Sequence, residues 1–435
     1  MHRSTRTRRL TVTATAGAAA LALTLTACGS SDSDDTADSG SSNGDEEITL
    51  TVATFNEFGY EDLLTEYEDL NPNITVKQKK AATADEARDA LRNSLGANSG
   101  ASDIEAIEVD WLAEFKQYPD KFADLTSDSV EGRWLDWKTE AATLEDGALI
   151  GYGTDIGPEA VCYRADLFEA AGIPSDREGA AEFIGESWDD YFDAGKEFMA
   201  SSDVPWFDSA GATWQGMINQ VQNAYEENDG TIIATENPEV RETYDAVLTA
   251  AVDENLSAHL GQWSQDWTDS FQNDGFATML CPGWMLGVIE GNAAGVEGWD
   301  IADTFPGGGG NWGGSYLTVP SQGENVEAAK ELADWLTAPE QQMKAFAAKG
   351  TFPSQVEALD SEELAAATNP FFNDAPTGEI LANRAEAVSV TPFKGPNYFP
   401  INTAMADAIT RVDVDQTDDA DSSWEKFVAD VDALG

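Results

Sequence analysis

From residue 48 onward, short apolar runs alternate with stretches of helical spacing. Ile48-Thr49-Leu50-Thr51-Val52-Ala53 reads as a strand. Leu63, Leu64, Tyr67 and Leu70 then recur on one helical face, and Asn71-Pro72-Asn73 ends that helix, because the residue before a proline avoids the helical region. Ile74-Thr75-Val76 reads as a second strand. Ala84 to Leu95 reads as a second helix with Ala87, Leu91 and Leu95 on one side, and Asp103 to Val109 as a third strand. Strand, helix, strand, helix, strand predicts an α/β fold with a parallel sheet and right-handed crossovers. A second group follows Gly151-Tyr152-Gly153-Thr154-Asp155: a strand at Ala160 to Tyr163, a helix from Asp166 to Ala171 closed by Gly172, and a broken helical region from Trp188 to His259. Strands are predicted at Phe276 to Leu280 and Ser315 to Val319, then a helix at Val326 to Leu336 and helical segments around Glu379 to Ala387 and Ile401 to Leu434.

The pattern is different before residue 48. Arg3, Arg6, Arg8 and Arg9 precede an apolar run from Leu10 to Leu25, and Leu25-Thr26-Ala27-Cys28 follows. A basic start, a short apolar stretch and small residues before a cut describe a signal peptide over 1–27. The run is about 16 residues, short of the ~20 a membrane span needs. The tetrad looks like a lipobox, which makes Cys28 the expected lipid attachment site on the outer face of the cell membrane. Arg8-Arg9 leaves Sec and twin-arginine export both open. Residues 28–47 are polar, small and acidic, too poor in apolar surface to fold, and read as a disordered tether.

Composition narrows the partners. The 24 basic and 80 acidic residues leave a net charge of -56, which argues against nucleic acid and against charge-driven binding to anionic lipid. The 42% hydrophobic fraction supports real cores, and the length remaining after the tether suggests two lobes. Cys162 and Cys281 are either a disulfide, in keeping with an exported chain, or two buried thiols. With only His2 and His259, a zinc site is not expected. Asp413, Asp415, Asp418, Asp419 and Asp421 lack the turn glycine and closing glutamate of a calcium loop and read as solvated surface, so no metal or cofactor is anticipated.

Taken in order, the lipobox, Thr54-Phe55-Asn56-Glu57-Phe58, Asn71-Pro72-Asn73-Ile74-Thr75-Val76, Ser102-Asp103-Ile104, Tyr163-Arg164-Ala165-Asp166-Leu167-Phe168, Ala277-Thr278-Met279 to Gly283-Trp284, Gly313-Gly314-Ser315 and Thr337-Ala338-Pro339-Glu340 carry a family likeness. The chain resembles the extracellular solute-binding proteins of ABC sugar importers, in the group that includes maltose- and cellobiose-binding proteins. The resemblance implies a two-lobe periplasmic-binding-protein-like (flytrap) fold with a sheet in each lobe and three interlobe crossings. It places lobe one at 48–153 plus 310–350 and lobe two at 154–309 plus 351–435. The crossings would fall near Thr154-Asp155, Pro306 to Gly310 and Gly350 to Pro353. It further implies a monomeric binder, not an enzyme, that passes an oligosaccharide to membrane permease subunits.

Sugars need flat apolar faces and a rim of hydrogen-bonding groups, and in α/β folds ligands gather at the carboxyl ends of strands. That rule selects Asn56 and Glu57 after the first strand, Asp110 and Trp111 after the third, Asp155 at the first crossing, and Trp312 with Gly314 before the Ser315 strand. The resemblance supports Trp284 most strongly as a stacking ring. Trp214 and Phe393 complete the set, with Trp263 and Trp267 weaker because they read as one helix face. Most of the 13 tryptophans must nonetheless be structural. The abundance of tryptophan points to a β-linked gluco- or xylo-oligosaccharide. A polyamine binder, which would use the same acids and aromatics, and a secreted glycoside hydrolase, which needs paired carboxylates, are the competing readings.

Overall fold

The computed structural model describes residues 47–434, so Cys28, the signal peptide and nearly all of the tether lie outside the described residues. Among the described residues, eight strands, β1 (Ile48–Phe55), β2 (Ile74–Ala81), β3 (Ile104–Glu108), β4 (Tyr152–Gly153), β5 (Glu159–Arg164), β6 (Thr278–Pro282), β7 (Trp299–Ala302) and β8 (Ser315–Thr318), form two sheets. The first has the order β2-β1-β3-β8-β4. Its β2, β1 and β3 run parallel, as the helical crossovers between them require. β8 enters antiparallel between β3 and β4, having returned from the far half of the chain. The second sheet, β6-β5-β7, is antiparallel throughout.

Each sheet organises its own core. Leu50, Val52, Ile104, Ile107, Tyr316 and Leu317 meet Leu63 and Leu64 from helix Glu61–Leu70, Leu91 and Leu95 from helix Ala84–Ala97, and Leu332 and Leu336 from helix Val326–Leu336. β5 is covered on both faces. Val161 and Tyr163 join one cluster, with Trp206, Tyr225 and Tyr398. Ala160 and Cys162 join another, with Met279, Cys281 and Trp299. This alternation is the period of a strand, and two-sided burial explains why its sequence is an unbroken apolar run. The structure joins Cys162 to Cys281 across β5 and β6, which resolves the choice between disulfide and free thiols.

Two stretches of chain join the sheets, β4 to β5 and β7 to β8, and a third, following the helices after β8, lies beside them. In the central one, Ile156 N–H donates to the Phe352 carbonyl at 2.9 Å, while Glu159 N–H donates to Gly310 at 3.0 Å. Asp155 bridges Pro353 on one flank and Pro158 bridges Asn311 on the other. Gly157 is tightly enclosed here, because a Cβ would lie 1.8 Å from the Trp312 carbonyl oxygen. Only glycine allows that approach of backbone to backbone.

Candidate functional site

A cavity of about 430 Å³ opens where the carboxyl ends of β1 and β3 face the crossings and the end of β6. Its size falls in the range of ligand clefts, ~300–1,000 Å³. β1 delivers Asn56 and Glu57, β3 delivers Glu108, and Asp110 follows in the first turn of helix Val109–Lys116, where the helix dipole favours a carboxylate. The crossings supply Asp155, Trp312, Gly313 and Gly314, and Trp284 follows β6. Gly313 and Gly314 both take left-handed backbone (φ 77° and 103°), and a Cβ on Gly314 would meet the Asp155 carbonyl at 2.7 Å, so the turn leading into β8 requires glycine.

One wall is aromatic. Trp284 lies nearly parallel to Trp263, with ring centres 6.2 Å apart and planes at 21°, and stands edge-on to Trp312 at 5.6 Å. Its indole N–H donates to the Trp312 carbonyl at 2.8 Å, which fixes the ring. Trp263 is 41% exposed and sits at φ 70°, a strained conformation for so bulky a side chain. Such strain collects at ligand clamps. Sequence periodicity joins Trp263 to Trp267 on a helix face, but the helix starts at Gln265. Trp267 is buried, its N–H donating to Asp208, and only Trp263 reaches the cavity.

The other walls carry polar groups in defined states. Glu57 forms ion pairs with Lys80 at 2.6 Å and Lys349 at 3.5 Å. Burial works to raise its pKa, and the two lysines outweigh it and hold the carboxyl below its usual range. Asp155 accepts from the Thr154 hydroxyl at 2.7 Å and from Ser315 N–H at 3.0 Å, while burial raises its pKa. Glu108 is pushed well up by burial and by the neighbouring Asp110 charge. Among the described residues, Asn56 Oδ1 and Thr351 Oγ1 are buried in this lining and meet no protein partner. A buried polar atom without a partner costs free energy, so both are suited to meet a ligand's hydroxyls.

The structure brings Asn56, Glu57, Asp110, Asp155, Trp284, Trp312 and Gly314 together, and it corrects three expectations. Trp111 is fully buried in the core of the first sheet, against Phe55 and Phe115. Trp214 is buried in the core beside β5. Phe393 does not line the cavity; its backbone N–H donates to Gln222 at 2.7 Å. Gln215, Gln262, Phe399 and Asn402 line it instead. Gln215 sits on a helix buried almost all round, Gln262 in a turn before helix Gln265–Ser270, and Phe399 and Asn402 on a helix far along the chain, so periodicity does not signal them. No group of three His, Cys, Asp or Glu side chains among the described residues could hold a metal, and no described helix is long and apolar enough to cross a membrane.

Below the cavity, Glu159 opens β5 fully buried, with neither carboxylate oxygen meeting a donor. Burial pushes its pKa up to about 8, and the Lys394 charge offsets only part of this. From its ordinary 4.5 up to about 8 the folded chain therefore holds a proton that the unfolded chain has released. The resulting stability is present in acid and is lost as pH rises toward 8. Glu159→Gln removes that loss. Its melting temperature is expected to gain on the wild type progressively between pH 5 and pH 8 in calorimetric scans, and a constant difference would show that Glu159 does not titrate there.

Two sheets with three paired stretches of chain between them, and an aromatic and carboxylate-lined cleft, define a two-lobe solute receptor. Residues 62–373 match the bacterial extracellular solute-binding protein family, and the chain belongs to it; it is a binding protein, not an enzyme. A crystal structure described as an extracellular solute-binding protein of family 1 is 48% identical, with TM-score 0.78 over 89% of this chain and 99% of that one. The binding protein from B. animalis subsp. lactis Bl-04, solved with β-1,6-galactobiose, is 21% identical with TM-score 0.76 over 89% and 96% of the two chains, a likeness of fold. The arabinooligosaccharide-binding protein of Halalkalibacterium halodurans is 26% identical over 291 residues, 63% of this chain and 63% of the relative's length.

Proposed function

We propose that this protein captures an oligosaccharide outside the cell and delivers it to an ABC permease in the same membrane, held there by a lipid on Cys28. The observation that carries the reading is the Trp263–Trp284–Trp312 wall facing Asn56, Asp110 and Asp155. Ring faces stack on the C–H faces of a sugar while carboxylates and amides take its hydroxyls. The names of the relatives, an arabinooligosaccharide binder and a β-1,6-galactobiose complex, are in keeping with it. The tryptophan wall favours a β-linked gluco- or xylo-oligosaccharide, whose flat chain presents ring faces in succession. Glu57, Asp85, Glu108, Asp110 and Asp155 in the lining favour a polyamine as the second reading. That reading is weakened because Glu57 and Asp110 already pair with lysines.

Calorimetric titration with cello-, xylo-, arabino-, galacto- and malto-oligosaccharides and with spermidine separates the readings. A micromolar sugar, ~8 kcal/mol of binding, is expected, and no sugar binding below millimolar would sink the proposal. Radiolabelled fatty acid incorporated into the wild type and absent from Cys28→Ser tests the anchor.

A further inference from the structure

The sequence offered no role for Lys394. It lies in the segment between helices Thr377–Ala387 and Tyr398–Asp413. That segment is rooted in the core beside β5. Asn397 donates to the Glu226 carboxylate from its backbone at 3.1 Å and from its side chain at 2.9 Å, and the Tyr398 ring packs on Tyr225 at 5.2 Å. From there the Lys394 ammonium reaches Asp110, whose helix is rooted in the other core through Trp111, Leu112 and Phe115. A second contact spans the same gap, where the Arg88 guanidinium lies 4.1 Å over the Phe399 ring. The side chains of Lys394 and Asp110 are only 7% and 11% exposed, so water screens the pair little.

We propose that Lys394 is a positioning residue that clasps the two lobes, holding Asp110 toward the cavity when the cleft is shut. This rests on the sugar-binding reading above. Lys394 occupies only one oxygen of Asp110, and among the described residues no donor reaches Oδ2, which is left to accept a hydroxyl of the ligand. The ammonium also faces the Tyr398 ring at 5.0 Å and acts on the buried carboxyls of Glu108 and Glu159, with Lys138 as the other cation of the group. Because the pair joins groups rooted in the two cores, opening would part Lys394 from Asp110 and hydrate both charges. The clasp therefore exists only when the lobes are closed, and a contact made only in the closed form shifts the population toward it.

The test is calorimetry and stopped-flow binding with the tightest sugar of the panel, on the wild type, Lys394→Met, Asp110→Asn and the double variant. Lys394→Met is expected to bind at least tenfold more weakly, mainly through faster dissociation, while the melting temperature of the ligand-free protein stays within about 3 °C of the wild type. The double variant, which leaves no orphaned charge, is expected to bind no more weakly than Asp110→Asn alone. Affinity of Lys394→Met within threefold of wild type, losses that multiply in the double variant, or a ligand-free melting temperature that drops further would each overturn the clasp. A wild type that binds no sugar would overturn the underlying reading, and with it the clasp, before the variants are compared.

Discussion

Replacing Trp284 with alanine is expected to weaken sugar binding between tenfold and a hundredfold while leaving the fold intact. The loss exceeds that of one stacking face. A stacked ring contributes ~0.5–1.5 kcal/mol beyond its buried area. Trp284 also supports the strained Trp263 from behind, and its N–H satisfies the Trp312 carbonyl, a hydrogen bond of about 1 kcal/mol. Removing it disorders the second ring and frees the third, a total of about 1.5–2.5 kcal/mol, where each 1.4 kcal/mol is tenfold. Trp284→Phe keeps a ring and loses only the hydrogen bond, so it should lie between the two. Calorimetry with the preferred oligosaccharide measures the series, and an unchanged near-ultraviolet dichroism spectrum confirms the fold. Affinity equal to wild type in Trp284→Ala would remove this ring from the site.

The same wall shows what the chain discloses by itself. The parallel β2-β1-β3 unit was legible because each helix and strand carries its own period. The antiparallel entry of β8 was not, since its partners are set by contacts distant in sequence. At the site, three expectations miss by a single residue. Trp111 enters the core and Asp110 the cavity; Trp214 enters the core and Gln215 the cavity; Phe393 stays off the cavity and Lys394 reaches Asp110. In each pair the polar neighbour lines the cavity or pairs with a residue that does, while the large ring does not line it. Helix Ala210–Ile218 is buried almost all round, so its hydrophobic pattern cannot say which side faces ligand. Trp263 was obscured for another reason: a left-handed tryptophan is a local cost that only a tertiary need explains.

The disulfide is the other place where a large effect is expected, and it bears on stability rather than binding. Cys162 and Cys281 are 119 residues apart, and the loop they close includes Trp263 of the aromatic wall. A crosslink of that span restricts the unfolded chain, so replacing both cysteines with alanine should cost about 2–5 kcal/mol, read as a lower midpoint in urea unfolding. Both residues are fully buried, so reductant added to the folded wild type should act slowly, and added to the urea-unfolded protein it should lower the refolding midpoint to that of the variant. Sugar affinity is expected to survive. The register from Glu159↔Pro282 to Tyr163↔Thr278 holds β5 against β6 by backbone hydrogen bonds whether or not the sulfurs are joined, and Trp284 takes its place from the end of that ladder. A variant that lost affinity in proportion to its stability would show instead that the covalent bond, and not the sheet, sets the position of the ring.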